Sequence, residues 1–235
     1  MYENGSLSKA TGDVLRPGGM DLTSRMLALC DLSAEDCILD VGCGTGSSLL
    51  LIEKTYPARI VGIDRSELLL QTGIHNHPHL PLACASGRAM PLVSGQIAVI
   101  LGECSLSAMG NIEDALAEFY RVLQPGGRLA LSDVYARNPQ GIPSLRALPL
   151  SCGVRDARSQ VDLLARLQAH GFQVVVWEDC SDSLKHLAAQ IALAHGSASQ
   201  FWTRSEPAAD PLDIQIALSK AKLGYYLLVA KKTAG

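Results

Sequence analysis

The sequence lacks any strong excess of charge of one sign. Its 20 Lys and Arg residues and 23 Asp and Glu residues leave a formal net charge of −3, which offers no broad electrostatic attraction for nucleic acid. No uninterrupted apolar run approaches the ~18 residues that a membrane-spanning helix needs, so we expect no membrane span. Met1 to Thr11 contains no apolar signal core, and a cytoplasmic location is therefore the expectation.

Paired cysteines and clustered metal ligands are also missing. None of the seven cysteines forms the C-x-x-C pair that is typical of zinc ribbons and thioredoxin-like proteins, and we expect most of them to be buried thiols. His75, His77 and His79 alternate, but Pro78 interrupts them and no acidic or cysteine residue is adjacent. This pattern favours a solvated connection over a metal site. The sequence therefore predicts no bound metal.

The composition is that of a globular protein. Apolar residues make up 48% of the 235 residues and charged residues 18%, which is enough for one α/β domain with a full core. We therefore predict a single domain over residues 1–235. Within it, residues 1–36 form an N-terminal cap segment, and residues 180–223 form a lid-like insertion because they are longer than a typical connection.

A glycine-rich turn organises the rest of the chain. An apolar run ends at Asp40 and is followed by Gly42, Gly44 and Gly46, and then by a helical pattern. This strand, turn and helix open a βαβ unit whose turn is bare enough for a ligand to lie against the backbone. A second strand-like run ends in Asp64, about twenty residues later, which is the acidic position that holds a ribose in nucleotide-binding α/β folds.

The glycine spacing bears on the kind of nucleotide. A nicotinamide or flavin fingerprint requires a third glycine where this chain has Ser47, which disfavours a nicotinamide-dependent oxidoreductase. With Asp40 before the glycines, Asp64 after the second strand and a Pro-Gly-Gly run at 125–127, the chain resembles the class I S-adenosylmethionine (SAM) methyltransferases. Within that group it is most similar to the small-molecule branch of ubiquinone/menaquinone C-methyltransferases and arsenite methyltransferases.

This resemblance implies a fold, a cofactor and a set of contacts. The fold is a Rossmann-like doubly wound sheet of about seven strands, mostly parallel with an antiparallel terminal strand, with helical lid insertions. The cofactor is SAM and the partner is a small-molecule methyl acceptor. The implied cofactor-binding residues are Gly18, Gly19, Asp40, Gly42, Cys43, Gly44, Gly46, Asp64, Arg65, Ser86, Gly87, Arg88 and Glu103.

Each of these contacts has an expected partner on SAM. Gly42 and Gly44 admit the methionine and ribose portion, Asp40 balances the ammonium, and Asp64 accepts from the ribose hydroxyls. Arg65 lies near the adenine. Relatives carry an Asp-Ala pair where this chain has Ser86 and Gly87, so the side-chain contact to the adenine amino group is weaker here. Arg16 to Gly19 are candidates to fold over the cofactor, although an ordinary helix-entry turn explains the same residues.

The catalytic candidates follow the apolar run from Ile97 to Leu101. Ligands in open α/β sheets gather at the carboxyl ends of the strands, so Glu103 and Cys104 should face the transferred methyl group. Glu103 is a general base or oxygen ligand, or it contacts only the cofactor amine. Cys104, with Cys152 and Cys180, leaves open a thiol-assisted arsenite methyltransferase.

A second reading of the site is a SAM-binding regulator or pseudoenzyme. It rests on the missing carboxylate at Ser86 and on the absence of a defined nucleophile or base motif. No Asn-Pro-Pro run followed by Tyr or Phe, the signature of many nucleic-acid methyltransferases, follows the fourth strand. The acceptor atom and the oligomeric state are not determined by the sequence.

Overall fold

One seven-stranded sheet forms the centre of the computed structural model, which describes residues 3, 7–12, 14 and 16–233. The strands lie in the order β3-β2-β1-β4-β5-β7-β6. In chain order they are β1 (Cys37–Val41), β2 (Arg59–Asp64), β3 (Leu82–Cys84), β4 (Ile97–Glu103), β5 (Leu123–Ala136), β6 (Phe172–Asp179) and β7 (Leu223–Lys232). The predicted Rossmann-like sheet of about seven strands is confirmed.

The direction of the strands also agrees with the prediction. β3, β2, β1, β4 and β5 are parallel to one another, whereas β7 is antiparallel to both β5 and β6. The reversed strand is the last in the chain, as expected. It lies inside the sheet, however, because β6 pairs with its outer side and forms the edge.

Helices cover both faces of the sheet. On one face Met26 and Leu27 of α2 pack with Leu49 and Ile52 of α3, and on the other face α5 and α7 bury their apolar sides. The helices, including the short ones, are α1 (Ser8–Thr11), α2 (Gly19–Ala28), α3 (Ser47–Thr55), α4 (Glu67–Asn76), α5 (Ile112–Val122), α6 (Ile142–Arg146), α7 (Gln160–Ala169), α8 (Ser181–His195), α9 (Ala198–Ser205) and α10 (Pro211–Ala221). Strand β4 is buried at every position because it lies between these two layers, as its unbroken apolar sequence indicates.

The sequence of helix α4 predicts an N-terminal cap at Ser66 and a stop at Gly73, and only the cap agrees with the structure. Its N-terminus is capped by Ser66, whose Oγ accepts from the backbone N–H of Leu69 as expected, but Gly73 does not end it. The helix continues to Asn76. A Cβ on Gly73 would lie 2.6 Å from the carbonyl oxygen of Thr45, so the glycine serves a close approach between α4 and the glycine-rich turn rather than a helix stop.

The segment 180–223 folds as three helices. α8 packs against α1 and β7, and α10 packs against α6. Within the described part of the chain, we find no helix that is both long and apolar enough to cross a membrane.

Candidate functional site

A cavity of about 500 Å³ opens at the carboxyl ends of β1, β2 and β4. This is the edge where parallel sheets place their ligands. The glycine-rich turn forms one wall, the turn after β2 a second, and the connection after β4 a third. The lining residues are Glu3, Arg16, Val41, Gly42, Cys43, Gly44, Thr45, Ser47, Ile63, Asp64, Arg65, Ser66, Leu69, Ala85, Gly87, Glu103, Cys104, Ser105, Ala108, Met109 and Ser151.

Gly42 has no room for a side chain. Its φ is 85°, and a Cβ at this position would lie 2.6 Å from the Cβ of Ser105. The backbone N–H groups of Gly42 and Cys43 donate to the carbonyl oxygen of Ile63 at 2.8 and 3.1 Å. The turn is therefore fixed against β2, and its bare surface faces the cavity.

Asp64 is held by two backbone groups. The N–H of Gly44 donates to its Oδ2 at 2.8 Å, and the N–H of Ser66 donates to its Oδ1 at 2.8 Å. The predicted meeting of the glycine-rich turn and the carboxylate one strand away is present in the structure. Each oxygen keeps lone-pair capacity for a further donor from a ligand.

Glu103 is the hub of a buried polar network. Its Oε1 accepts from the hydroxyl of Thr23 at 2.8 Å, and its Oε2 accepts from the hydroxyl of Ser48 at 2.8 Å. The Nε of Arg16 lies 2.8 Å from Oε1, an ion pair by distance, and an Arg16 terminal nitrogen donates to Thr23 at 2.6 Å. A buried carboxylate held by this many partners is suited to bind a cationic group.

Asp40 lies behind the turn and is not part of the cavity wall. Only 2% of its surface is exposed. Burial, with a smaller contribution from the charge of Glu103, raises the pKa of Asp40 to about 8, and Arg16 opposes this shift. The implied direct contact between Asp40 and the ammonium group of a cofactor therefore has no geometric support in this structure.

Cys104 occupies the turn directly after β4 with a φ of 51°. Its Sγ lies 3.1 Å from the hydroxyl of Tyr225, which donates onward to the hydroxyl of Ser132 at 3.1 Å. Burial raises the pKa of the Cys104 thiol well above its usual range. The thiol is therefore neutral at physiological pH and poorly suited to act as a nucleophile.

The other thiols of the arsenite hypothesis lie elsewhere. Cys152 belongs to a small apolar cluster with Leu150, Ala209 and Ile214, and Cys180 precedes α8. Among the described residues, no group of three or more His, Cys, Asp or Glu residues is arranged to hold a metal ion. The geometry therefore gives no support to arsenic binding by Cys104, Cys152 and Cys180 together.

Several implied cofactor residues lie outside the cavity wall. Gly87 borders the cavity, but Ser86 and Arg88 do not, because Ser86 forms a tight turn in which its hydroxyl accepts from the Arg88 N–H at 3.2 Å. Gly46 is the N-cap residue of α3 and faces Leu80. The implied contacts of Ser86, Arg88 and Gly46 with a cofactor therefore have no geometric support.

Gly18 and Gly19 lie at a different cleft. They border a volume of about 270 Å³ between the segment before α2 and helix α8, together with Val14, Arg16, Pro17, Ser183, His186, Leu187 and Gln190. Arg16 is common to both cavities. The expectation that Arg16 covers the cofactor is therefore consistent with the structure, whereas Gly18 and Gly19 only shape the turn into α2.

The remaining predictions concern whole segments. The cap segment 1–36 falls partly on residues outside the described ones, and within it Glu3 and Arg16 border the first cavity. No described residue of 180–223 borders that cavity. Instead, Glu206 accepts from the backbone N–H and the hydroxyl of Ser151 at 2.8 and 2.9 Å, and Ser151 is a wall residue. The segment therefore supports the wall from behind.

Sequence reasoning missed much of the third wall. Ser105, Ala108, Met109 and Ser151 border the cavity but carry no motif. The position of Ser105, two residues after a buried parallel strand, was the available signal. Ser151 had none, since it reaches the cavity through an irregular connection.

Comparison with known proteins gives consistent similarities. Residues 39–131 match the family model of a methyltransferase domain. The chain is 28% identical over 193 residues to a demethylmenaquinone methyltransferase of Streptomyces avermitilis, covering 72% of this chain and 82% of that protein. It is 29% identical over 206 residues to a trans-aconitate 2-methyltransferase of Paracidovorax citrulli, covering 80% and 75%.

Solved structures share the fold. The crystal structure of the (4+2)-cyclase SpnF superposes with a TM-score of 0.78 at 23% identity, covering 100% of this chain and 93% of that one. A geranyl diphosphate methyltransferase in complex with SAM gives a TM-score of 0.71 at 16% identity, covering 90% and 85%. At this level of identity the structures establish the fold and do not specify the reaction.

Proposed function

We propose a function from the premise that the chain belongs to the class I SAM-dependent methyltransferases. In this proposal the chain transfers a methyl group from SAM to a small-molecule acceptor, and the transfer takes place in the cavity beside Gly42, Asp64 and Glu103. The observation that carries the proposal is the bond from the Gly44 N–H to Asp64. It joins the bare turn and the carboxylate into one surface that can hold the two ends of a charged nucleoside.

The residues present fit SAM in size and charge. The cavity is lined by both Asp64 and Glu103 and has a volume of about 500 Å³, and the missing Cβ of Gly42 leaves the backbone open to a ligand. Glu3, Asp64 and Glu103 outnumber Arg16 and Arg65 on the wall. A wall with net negative charge suits a ligand that carries a sulfonium and an ammonium.

Each end of the ligand has a partner in this proposal. Asp64 accepts hydrogen bonds from the ribose hydroxyls, and Gly87 and Ala85 lie against the adenine. Glu103 holds the ammonium, while Arg16, already beside Glu103, pairs with the carboxylate. The N-terminus of α3 adds backbone donors for that carboxylate. Asp40 stabilises this arrangement from behind the wall.

The chemistry then depends mainly on orientation. Bound SAM would supply a methyl group on a positively charged sulfur. The acceptor lone pair would form the new bond to the methyl carbon, and the electrons of the broken carbon–sulfur bond would remain on sulfur. Glu103 and Asp64 fix the donor end, and the connection after β4 holds the acceptor opposite it and excludes water. Alignment of this kind contributes ~7–11 kcal/mol to lowering a barrier, so no strong base is required at Cys104 or Glu103.

The test begins with equilibrium binding. Calorimetry should show binding of SAM and of S-adenosylhomocysteine, and no binding of NAD. Asp64→Asn should weaken SAM binding about 10- to 100-fold, because charge-assisted bonds to the ribose become neutral ones. Asp182→Asn, at an exposed carboxylate paired only with Lys185, is the matched control and should bind as the wild type does. Absence of heat with SAM would overturn the proposal.

Turnover distinguishes an enzyme from a SAM-binding regulator. Release of labelled methyl into a panel of thiol, quinol and arsenite acceptors identifies an active methyltransferase. SAM binding without transfer to any acceptor would support the regulator or pseudoenzyme instead. The net charge of −3 is the reason for starting with small molecules and not with nucleic acid.

A further inference from the structure

A buried hydroxyl on the cavity wall has no partner within the protein. Ser105 is 7% exposed, it borders the first cavity, and its Oγ makes no hydrogen bond. Leaving a buried hydroxyl unsatisfied costs about 1–3 kcal/mol. In this structure the Oγ itself has almost no accessible surface, so a bound molecule would complete its hydrogen bonding once the side chain rotates about its Cα–Cβ bond.

The surrounding backbone is shaped to accommodate this side chain. A Cβ on Gly42 would lie 2.6 Å from the Ser105 Cβ, and a Cβ on Gly102 would lie 3.2 Å from the Ser105 Oγ. The left-handed turn at Cys104, whose N–H donates to the carbonyl oxygen of Ser132 at 2.7 Å, brings Ser105 back towards the sheet. Gly42, Gly102 and the strained turn at Cys104 therefore hold the Ser105 hydroxyl close to the sheet, at the beginning of the connection after β4.

The rest of this wall carries no charge. Its other members are the neutral thiol of Cys104, the side chains of Ala108 and Met109, and Ser151, whose hydroxyl donates to Glu206. Among the described residues, Arg16 and Arg65 are the cations that border the cavity. Arg16 is engaged by Glu103 and Thr23, and Arg65 is exposed at the opposite, Asp64 end. A phosphate or polycarboxylate at this wall would be buried without a countercharge, which is costly.

We propose that Ser105 is the polar contact for the methyl acceptor, and that the acceptor is an uncharged, largely apolar molecule with a hydroxyl or carbonyl oxygen that bonds to the Ser105 hydroxyl. This inference rests on the proposed function and extends it to the class of acceptor. Ser105 is a specificity-determining contact in this assignment. Where the accepting atom is a hydroxyl oxygen, its bond to the methyl carbon forms as the carbon–sulfur bond breaks, and its proton is released to solvent as the methylated product leaves the cavity.

The chain offers a matched control. Ser205 in α9 is 4% exposed, its Oγ also makes no hydrogen bond, and it does not border the cavity. Ser105→Ala and Ser205→Ala therefore remove the same unpartnered buried hydroxyl, one at the cavity and one away from it. Both variants should fold, because removing a buried hydroxyl that has no partner is neutral or stabilising. Circular dichroism and urea unfolding check this.

The experiment measures binding to three proteins: the wild type, Ser105→Ala and Ser205→Ala. Calorimetry with S-adenosylhomocysteine comes first and should give the same affinity, within about twofold, for all three. The protein saturated with S-adenosylhomocysteine is then titrated with 1-naphthol, naphthalene, trans-aconitate and phosphoethanolamine. We expect 1-naphthol to bind and the two anions not to bind. Ser105→Ala should weaken 1-naphthol about 3- to 10-fold, the effect of one neutral hydrogen bond, and leave naphthalene unchanged.

Each other outcome has a definite meaning. Weaker binding of S-adenosylhomocysteine by Ser105→Ala alone would assign the hydroxyl to the cofactor and overturn the inference. Binding of trans-aconitate or phosphoethanolamine as tight as that of 1-naphthol would overturn the uncharged class, and so would failure of the wild type to bind 1-naphthol. An equal effect of Ser205→Ala would show that the change is not local. Absence of S-adenosylhomocysteine binding in all three proteins would refute the proposed function itself.

Discussion

Gly42 shows how one residue can serve both backbone geometry and ligand access. Its φ of 85° lies in the left-handed region, and its α-carbon lies against Ser105. Gly42→Ala therefore combines backbone strain of ~1–2 kcal/mol with a steric clash. We expect a loss in the free energy of unfolding of about 2–5 kcal/mol, since overpacking adds ~1–3 kcal/mol to the strain, and weaker SAM binding.

The control for this substitution is Gly95→Ala. Gly95 has a φ of 72° but nothing within 4 Å of the added Cβ, so it reports the strain without the clash. Urea unfolding of both variants, with SAM calorimetry, separates the two effects. Equal losses at the two glycines would contradict the role of the Ser105 contact.

Asp40 should make stability depend on pH. Its pKa of about 8 in the folded protein is above the ordinary 3.8, so the folded state binds more protons than the unfolded state between these values. The free energy of unfolding therefore falls as the pH rises through this window. Asp40→Asn removes this dependence, and the variant should gain stability relative to the wild type between pH 5 and pH 9 in urea unfolding. A constant difference would contradict the assignment.

The sequence predicts some residues of the site better than others. Gly42, Gly44 and Asp64 follow from spacing alone, because strand, turn and strand dictate where each of them lies. Ser86 and Arg88 were placed by analogy, and a local turn directs them elsewhere. The position of Ser105 follows from the end of β4, but its lack of a hydrogen-bond partner was not predictable. Whether a hydroxyl finds a partner depends on packing among residues distant in the sequence.

At the level of elements, the connection after β4 is held by β5. Asp133 accepts from the backbone N–H and the hydroxyl of Ser107, both at 2.8 Å. Ser107 begins a short 3₁₀ helix, Ser107–Met109, which supplies Ala108 and Met109 to the cavity. Burial raises the pKa of Asp133 to about 6, opposed by these hydrogen bonds, so the carboxylate is largely ionised at pH 7.

Asp133→Ala should loosen this connection. Three donors lose their acceptor, namely the N–H and hydroxyl of Ser107 and the N–H of Val134. This costs about 1–3 kcal/mol for each donor that stays buried, and hydrogen exchange at the Ser107 amide should become faster. Asp133→Asn keeps one acceptor oxygen and should lie between the wild type and Asp133→Ala in both measurements. Unchanged Ser107 exchange in the alanine variant would rule out this connection between the two elements.

Element boundaries were predictable where one physical signal dominated. The uniform apolar run from Ile97 to Leu101 agrees with the structure, in which β4 is buried at every position. Gly73 was ambiguous, because a glycine late in a helix indicates either the end of the helix or a close contact with another element. The structure shows the close contact, since a Cβ on Gly73 would clash with the carbonyl oxygen of Thr45. The position of 180–223 beside the wall, and not over the cavity, depends on the packing of α10 on α6, which no local pattern encodes.

For the whole molecule, ligand binding should appear as stability. A ligand that binds only the folded state at 100 times its Kd adds ~2.7 kcal/mol. For a protein of this size each kcal/mol corresponds to ~2–4 °C, so saturating SAM should raise Tm by about 5–10 °C. NAD at the same concentration should leave Tm unchanged, and Asp64→Asn should show a smaller shift with SAM. Differential scanning calorimetry tests this, and an equal shift with NAD would count against the assigned nucleotide.

The position of β7 has a consequence for how the sheet assembles during synthesis. β6 leaves the ribosome before β7, yet β7 is its neighbour in the sheet and separates it from β5. The nascent chain can therefore complete β3-β2-β1-β4-β5, the part of the sheet that carries Gly42, Asp64 and Glu103. Strand β6 has no hydrogen-bonding neighbour in the sheet until β7 is synthesised. The nucleoside site is thus encoded in the portion translated early, and the last strand joins the remaining edge to it.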